Sequence, residues 1–476
     1  MTESKFYHFL KALSLKELRR FRKYLESPYF NSHEKILELF EYFETHLLAS
    51  NNDEIVKEKV WETLYPHLDF DYDKLRKLQH QLMELGEDFL AQQIYDESPV
   101  HRVNYLLQML HRKELDIFIN SAINSGMTLL KREPNRPGTY YYDLYSIEKY
   151  RYILENMESA RVQKVNIQKL NIVDIDAHLN HFYFAEKLKY YCLLLSWSRM
   201  THVNKDVILI PEIIGEISKN SYLEIPAITI YYQIYLTFVE PDIESHFTNL
   251  KELIKKYIHL FPAEDARDII NSAINYTIQK QNQGNLKFSK DNFELWKDAL
   301  SKEIVLTNGE LSPWAFKNIV TLALRLNEFD WTESFIFNYG SKISKEYREN
   351  AIHYNKASLH FYRKEYHLAI PLLQKVQFDE VNYGLGAKSL LLATYYELDE
   401  FDALQSFYDS FKIFIQRNKS ITDERKNSYL QLIRFTKRLT ETSNDKSKFK
   451  KIKEEIQNSQ AMSKKWLLEK ADELLG

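Results

Sequence analysis

The sequence predicts an all-α chain, built as helix after helix with no sheet, and three observations carry that prediction. The 476 residues hold only 10 glycines and 11 prolines, about 2% each, where ordinary chains carry roughly 7% and 5%. Glycine supplies the positive φ angles of tight hairpins and phosphate loops, and proline breaks helices. A chain poor in both can run from one helix to the next. It cannot readily make a many-turned β sandwich or a Gly-rich nucleotide fold. Second, apolar residues recur at helical spacing behind recognisable caps. Third, aromatic residues reach 14%, mostly 33 Tyr and 28 Phe, and large rings suit the packing of helix on helix.

The elements follow in order. Ser14-Leu15-Lys16-Glu17 is a capping box, in which hydroxyl and carboxylate satisfy free amides at a helix start; Leu18, Phe21 and Leu25 form its stripe. Ser27 to Asn31 is a turn. A second helix covers about 32–48, with Ile36, Leu39, Phe40 and Phe43 on one face, and a third about 53–65, ending at Pro66. A fourth opens at Asp71 or Asp73 and carries Leu75, Leu78, Leu82, Leu85 and Phe89. Residues 1–95 therefore form a four-helix N-terminal unit. Residues 96–225 are a middle helical region, with one or two helices at 100–132, a breaker cluster from Glu133 to Gly138, and helices at about 140–159, 172–203 and 207–219. Helix pairs follow at 226–261, 263–305, 311–344, 347–377 and 384–418. Pro241, Pro262 and Pro313 fall between helices. Helices at 422–440 and 459–475 close the core, with Thr440 to Lys448 as a flexible link between them. The pair lengths sit near the roughly 34–47-residue periods of helical repeats, so 226–420 are repeats and 421–476 a cap.

Net charge is −3, from 64 basic and 67 acidic residues, which gives no global push toward nucleic acid or membrane. The lone Cys192 excludes an intrachain disulfide and a cysteine-based zinc site. Met1 to Leu10 lacks the apolar core of a secretory signal. The longest apolar stretches, such as Tyr190 to Trp197 and Val207 to Ile214, fall far short of the ~20 residues that span a bilayer. The expected location is the cytoplasm.

The clearest repeat runs from Tyr354 through Ala357, Phe361, Tyr366, Ala369, Ile370 and Leu373 to Val376. A small residue in the first helix admits the second, an aromatic follows the turn, and a second small residue sits at the tightest crossing. The next pair, with Leu391, Ala393, Tyr395, Phe401, Ala403 and Leu404, has the same sense. In the preceding pair Phe329 follows the turn, so Phe329, Tyr366 and Phe401 are 37 and 35 residues apart. This region, about 311–418 and more loosely 226–310, resembles tetratricopeptide (TPR-like) helical-repeat proteins. The usual tryptophan and glycine of the first helix are mostly missing, and Pro371 enters a second helix. Residues 1–225, with Ser27-Pro28-Tyr29-Phe30-Asn31, resemble repeat proteins of Bacteroidetes-type bacteria, a likeness that implies no function. The TPR resemblance implies an α-solenoid of antiparallel hairpins in a right-handed superhelix. It also implies that the first helices of the pairs line a concave groove. By position these residues are Lys317, Asn318, Thr321 and Arg325, then Tyr354, Asn355, Ser358 and Tyr362, then Ser389 and Glu397. Lys317, Asn318 and Asn355 fall where such arrays grip a peptide backbone or terminal carboxylate; Thr321 replaces an asparagine of that clamp.

Candidates for chemistry are incomplete. Asp69, Asp71 and Asp73 open like an EF-hand loop, but Lys74 and His80 stand where its glycine and glutamate belong; helix capping accounts for them better. Gly384-Leu385-Gly386-Ala387-Lys388-Ser389 hints at a P-loop, yet Ala387 separates glycine from lysine and Val381 replaces the first glycine. His178 and His181, with Asp174 a turn earlier, could share a helix face with a metal but have no second ligand cluster. His353, His360 and His367 recur every seven residues across a turn. Cys192, in an apolar helix, has no adjacent base. No metal, cofactor or catalytic set is expected. Residues 434–465 hold ten Lys or Arg against four acids, with Lys446, Lys448, Lys450, Lys451 and Lys453 at the centre, a surface for RNA, DNA or anionic lipid or else a solvated face. The expectation is a non-enzymatic scaffold that holds a protein or peptide partner; the alternative is nucleic-acid binding or regulation through the basic stretch.

Overall fold

The structure, a computed structural model, describes residues 4–49, 55–162, 170–201, 203, 205–219, 221–377, 381–442 and 446–476. Among these are 23 α-helices and no strand; a single bridge joins Thr307 and Glu310. The chain is all-α, as its composition predicts. It divides into two units, Met1–Lys187 with Asn220–Ile228, and Leu188–Lys219 with Thr229–Gly476.

The first unit begins with α1 (Lys5–Ala12), α2 (Leu15–Glu26), α3 (Glu34–Leu48), α4 (Lys57–Leu64) and α5 (Tyr72–Glu97). The Ser14 box is present: Glu17 Oε2 accepts from the Ser14 amide at 2.7 Å, and Ser14 Oγ from the Glu17 amide at 3.3 Å. The sequence predicts four helices here, without α1. That helix has its own cap, Ser4 Oγ accepting the Tyr7 amide at 3.2 Å, and buries Phe6, Tyr7 and Leu10. The expected opening at Asp53 lies outside the described residues, and α4 ends one residue before Tyr65. Both α1 and α2 pack on α3 and α5. At their centre the Phe21 ring, fully buried, meets Phe9, Phe40 and Phe89 with centroids 5.6, 5.2 and 5.1 Å away.

Next come α6 (Pro99–Arg112), α7 (Asp116–Arg132), α8 (Gly138–Val162) and the first part of α9 (Ile172–Thr201). The breaker cluster at 133–137 does separate α7 from α8. These helices meet at Gly126, where a Cβ would stand 2.8 Å from Ile147 Cδ1 and 3.0 Å from Val103 Cγ1. Glycine lets α7 approach α6 and α8 this closely without displacing those two side chains.

The second unit holds α10 (Ile210–Lys219), α11 (Pro226–Val239) from Thr229 onward, α12 (Glu244–Tyr257), α13 (Ala263–Asn282) and α14 (Phe288–Ser301). After them come α15 (Pro313–Arg325), α16 (Phe329–Tyr339), α17 (Lys345–Tyr362), α18 (Tyr366–Gln374), α19 (Val381–Glu397) and α20 (Phe401–Arg417). The last are α21 (Asp423–Glu441), α22 (Lys446–Gln457) and α23 (Lys464–Leu475). Every helix from α12 to α21 packs on the next, and α15, α17 and α19 also pack in series. Pro313 opens α15, where its missing amide costs nothing. Pro371 lies inside the short α18. One expectation is corrected: the link toward the last helix contains α22. Its stripe of Phe449, Ile452 and Ile456, all buried, pays for helix formation, and the surrounding lysines hide it from a reading of polarity.

Candidate interaction surface

The turns of three successive hairpins set the surface. Asn327, Lys364 and Asp399 adopt left-handed backbone, φ 60, 63 and 55°. In each turn the next amide bonds five residues back: Glu328 to Ala323 at 3.0 Å, Glu365 to His360 at 2.8 Å, and Glu400 to Tyr395 at 3.0 Å. The left-handed residue itself bonds three back, to Leu324, Phe361 and Tyr396. These are Schellman caps, which satisfy the last carbonyls of a helix and reverse the chain. Each stands two residues before Phe329, Tyr366 or Phe401, so the aromatic period is also the period of the turns. The small residue three positions after the aromatic is Thr332, then Ala369, both fully buried; in the third hairpin Leu404 takes the place.

The structure draws part of the expected residue set together. The Lys317 ammonium on α15 lies 4.6 Å from the Tyr354 ring centre on α17 and 5.2 Å from that of Tyr383 on α19. Tyr354 and Tyr383 meet edge to face at 5.4 Å, and Tyr383 Oη donates to Pro313 O at 2.9 Å. Gly386 completes the contact: a Cβ there would come within 2.9 Å of Tyr354 Oη and 3.0 Å of Lys317 Nζ. Burial pushes the Tyr354 phenol up to about 12.

Other members of the set point into the protein. Asn355 is fully buried and gives its Nδ2 to Ala351 O at 2.7 Å. Ser358 is buried and donates to Tyr354 O at 2.9 Å. Thr321 donates to Lys317 O at 2.8 Å, and Ser389 is buried. Glu397 holds the last helix: it accepts from Trp466 Nε1 at 2.7 Å and from Lys470 Nζ at 2.9 Å, and Lys470 also reaches Glu473 at 2.8 Å. Burial pulls the Lys470 pKa down, but the bonds from Glu473 and Glu397 outweigh it and hold it above the ordinary lysine value. Asn318, Arg325 and Tyr362 remain exposed. Asn318, Thr321 and Arg325 share one stripe of α15 by their spacing.

The basic stretch is thinned by pairing. Arg438 makes a two-pronged bond with Glu455, to which Arg434 is also close at 3.9 Å. Lys437 pairs with Glu441 at 3.5 Å, and Lys464 caps carbonyls of Gln457 and Ser459. Lys446, Lys448, Lys450 and Lys451 are exposed along α22. Lys446, Lys450 and Lys453 line a cleft of about 580 Å³ with Ser447, Glu454, Gln457 and Leu475, and Lys453 pairs with Asp472 at 2.5 Å.

The isolated candidates resolve into structural roles. Asp71 caps α5, accepting the Lys74 amide at 2.9 Å. The segment Gly384–Ser389 is helix from end to end. Cys192 is buried and donates to Tyr231 O at 3.4 Å, and burial pushes its thiol far up. His360 bonds Glu365 at 2.7 Å across its turn. The rings of His178 and His181 lie 6.1 Å apart, near Tyr141 and Tyr222, and burial holds both imidazoles below their usual value. Behind them Glu148, buried, binds Arg151 at 2.7 Å and Asn171 at 2.5 Å. Among the described residues no group of three His, Cys, Asp or Glu is placed to hold a metal, and no helix is long and apolar enough to cross a membrane.

A feature that the sequence reading missed lies in the first unit. Ile94 on α5, Tyr105 and Met109 on α6, and Ile117 and Phe118 on α7 are half or more exposed. These apolar residues flank the buried stripes of their helices. Comparison of the chain with protein-family models, with curated proteins and with solved structures finds no match in any of the three.

Proposed function

We propose that this chain is a non-enzymatic interaction scaffold of the cytoplasm, in which a TPR-like, right-handed solenoid at 226–420, capped by 421–476, presents a groove to a peptide or partner helix. The observation that supports it best is the three Schellman turns at the aromatic spacing, joined to the serial packing of α15, α17 and α19. Repeated hairpins that cannot bury their stripes alone must stack, and stacking produces an extended face. The geometry shifts weight within the expected set. Asn318, Arg325 and Tyr362 are the residues that reach solvent, and they would meet the partner. Asn355 and Ser358 are buried on α17, the helix that carries Tyr362.

A photo-crosslinking residue at Tyr362 tests this in native lysate, with the same residue at Asp402 on α20 as control. A discrete protein adduct from Tyr362 alone, lost in the Asn318→Ala/Arg325→Ala variant, is expected. Equal adducts from both sites would remove the groove. The second reading, nucleic-acid binding, is favoured only by the lysine-lined cleft on α22. It requires affinity for a labelled single-stranded RNA that falls steeply with salt and falls further in Lys446→Gln/Lys450→Gln.

A further inference from the structure

The end of α5 and the hairpin of α6 and α7 carry six large apolar side chains that the core leaves out. They are Ile94 on α5, Tyr105, Leu106 and Met109 on α6, and Ile117 and Phe118 on α7, with exposures from 47% at Leu106 to 84% at Ile117. Tyr105, Leu106 and Met109 share one side of α6, off the buried stripe of Val103, Leu107 and Leu110. The rings of Tyr95 and Tyr105 stand 6.1 Å apart and join α5 to α6. The turn from α6 to α7 is also fixed. Glu114 adopts left-handed backbone, φ 57°, its amide bonds His111 O at 3.1 Å, and the Leu115 amide bonds Leu110 O at 2.9 Å. This is another Schellman cap, and it brings Ile117 and Phe118 back beside the end of α6 that carries Met109. The face therefore crosses three helices that pack in order, and helices and a cap hold it.

Area decides what such a face is for. With roughly 200 Å² to each large side chain, the six leave about 700 Å² of apolar surface in the open. The largest apolar patch of an ordinary monomer is about 300–600 Å². A specific interface takes about 800 Å² from each partner, and the apolar share of a homodimer's, near 65%, is about 500 Å². The face supplies that much by itself. Charge narrows the occupant. Between Arg102 and Arg112 the helix α6 has no Asp, Glu, Lys or Arg, as the centre of an interface requires. The exposed charges between Ile94 and Phe118 are Asp96, Glu97 and Glu114 against Arg102, Arg112 and Lys113. Three of each sign give no pull toward nucleic acid or anionic lipid. In a twofold contact the same rim is self-complementary, because each sign meets its opposite on the other copy.

We propose that this face joins two copies of the chain in a twofold contact, α6 and the start of α7 of one copy packing on the same elements of the other. The contact rests on the face alone. Its use, presenting any partner site twice in one assembly so that a two-site partner gains by linkage, rests on the scaffold reading.

Sedimentation equilibrium of the full chain tests it. Wild type should pass from monomer to dimer with a dissociation constant below about 10 µM, as an interface of this size gives. Met109→Glu/Ile117→Glu, two changes at exposed positions, should keep the melting profile and weaken the dimer about a hundredfold or more, since like charges then face each other at the centre. Ile117→Glu alone, at the most exposed of the six, replaces the double variant if that melts early, and should weaken the dimer about tenfold or more. Phe337→Glu on α16, also 84% exposed, should leave the dimer unchanged. A photo-crosslinking residue at Tyr105 in the purified chain should give an adduct of twice the chain mass. A wild type that stays monomeric up to about 100 µM, or a dimer that the charge variants leave intact, overturns the proposal. So does a monomeric wild type whose Tyr105 residue captures another protein in lysate, or one that floats with phosphatidylcholine vesicles and is released by Ile117→Glu; the face then belongs to that protein or to lipid. The dimer and the groove fail separately, because the Tyr362 adduct is read in lysate with Ile117→Glu as readily as with wild type.

Discussion

The five-helix bundle at the start of the chain and the hairpins α15–α20 bury their apolar stripes in opposite ways. In the bundle α1 and α2 both reach α5, which lies far along the chain, and one apolar core that includes Phe21 takes residues from every helix. In the hairpins each helix packs chiefly on neighbours one or two places away, with longer reaches from Lys317 of α15 to Tyr383 of α19 and from Glu397 of α19 to Lys470 of α23. The bundle is closed, and its helices share one core. On the solenoid proposed above, the hairpins would form a row, in which stability is close to a sum of local and nearest-neighbour contributions. A closed core leaves no repeated face, whereas a row leaves one along its whole length. That difference is why the proposed groove lies in the row.

The largest effect that tests this contrast is loss of a buried ring. Phe21→Ala and Phe316→Ala each remove a fully buried phenylalanine, and each should cost about 3–5 kcal/mol. Their reach should differ. Hydrogen exchange in Phe21→Ala should rise together across α1–α5, and in Phe316→Ala it should rise in α15–α17 and fade toward α21. A uniform rise from α12 to α21 would break the comparison.

Next is the buried ion pair that docks α23 on α19. Removing one partner strands the other, so Lys470→Met should cost about 3–5 kcal/mol, and Lys470→Met/Glu397→Leu should recover part of it. Urea unfolding of the three proteins reads this directly. A double variant no better than the single one would show that Trp466, which also bonds Glu397, matters more than the pair.

What the sequence shows of these two regions follows from the range of the interactions. The Ser14 box and the Asp71 cap are local, set by residues three positions apart, and the spacing of Phe329, Tyr366 and Phe401 is a repeat; all three are legible. The Glu397–Lys470 pair joins residues 73 apart, and no periodicity marks it. The α22 stripe was hidden by lysines, and the burial of Asn355 and Ser358 by their polarity. The left-handed turns leave no mark, because asparagine, lysine and aspartate stand where glycine is usual.

A smaller effect belongs to the first unit. His178 and His181 are held below the ordinary imidazole value by burial, with Glu148 and Asp174 pulling His178 the other way and His178 itself adding to the depression of His181. Tyr141, Tyr222 and Arg151 complete the surroundings. The unfolded chain takes up protons near pH 6.5 and the folded chain only at lower pH, so stability falls as pH drops below about 6.5. Urea midpoints at pH 7 and pH 5 should differ more in the wild type than in His178→Gln/His181→Gln. The same slope in both would assign the acid sensitivity to other groups.

The smallest effect separates the two regions most sharply. Among its described residues the α1–α5 bundle has no residue at positive φ, and its helices α1 and α2 end in extended backbone. The row turns through left-handed residues, none of them glycine. An L-residue in that conformation carries about 1–2 kcal/mol of strain, and glycine relieves it while gaining freedom in the unfolded chain worth about 0.5–1 kcal/mol. The net gain is therefore about 0–1.5 kcal/mol per turn. Lys364→Gly should gain most, Asp399→Gly less and Asn327→Gly least, because asparagine and aspartate tolerate this backbone better. All three side chains are exposed, so nothing else is lost. Urea midpoints that rise in that order, and add in the triple variant, would show that the turns act independently, as a row requires. A loss of stability in Lys364→Gly would mean that the lysine does something in the turn beyond bending it.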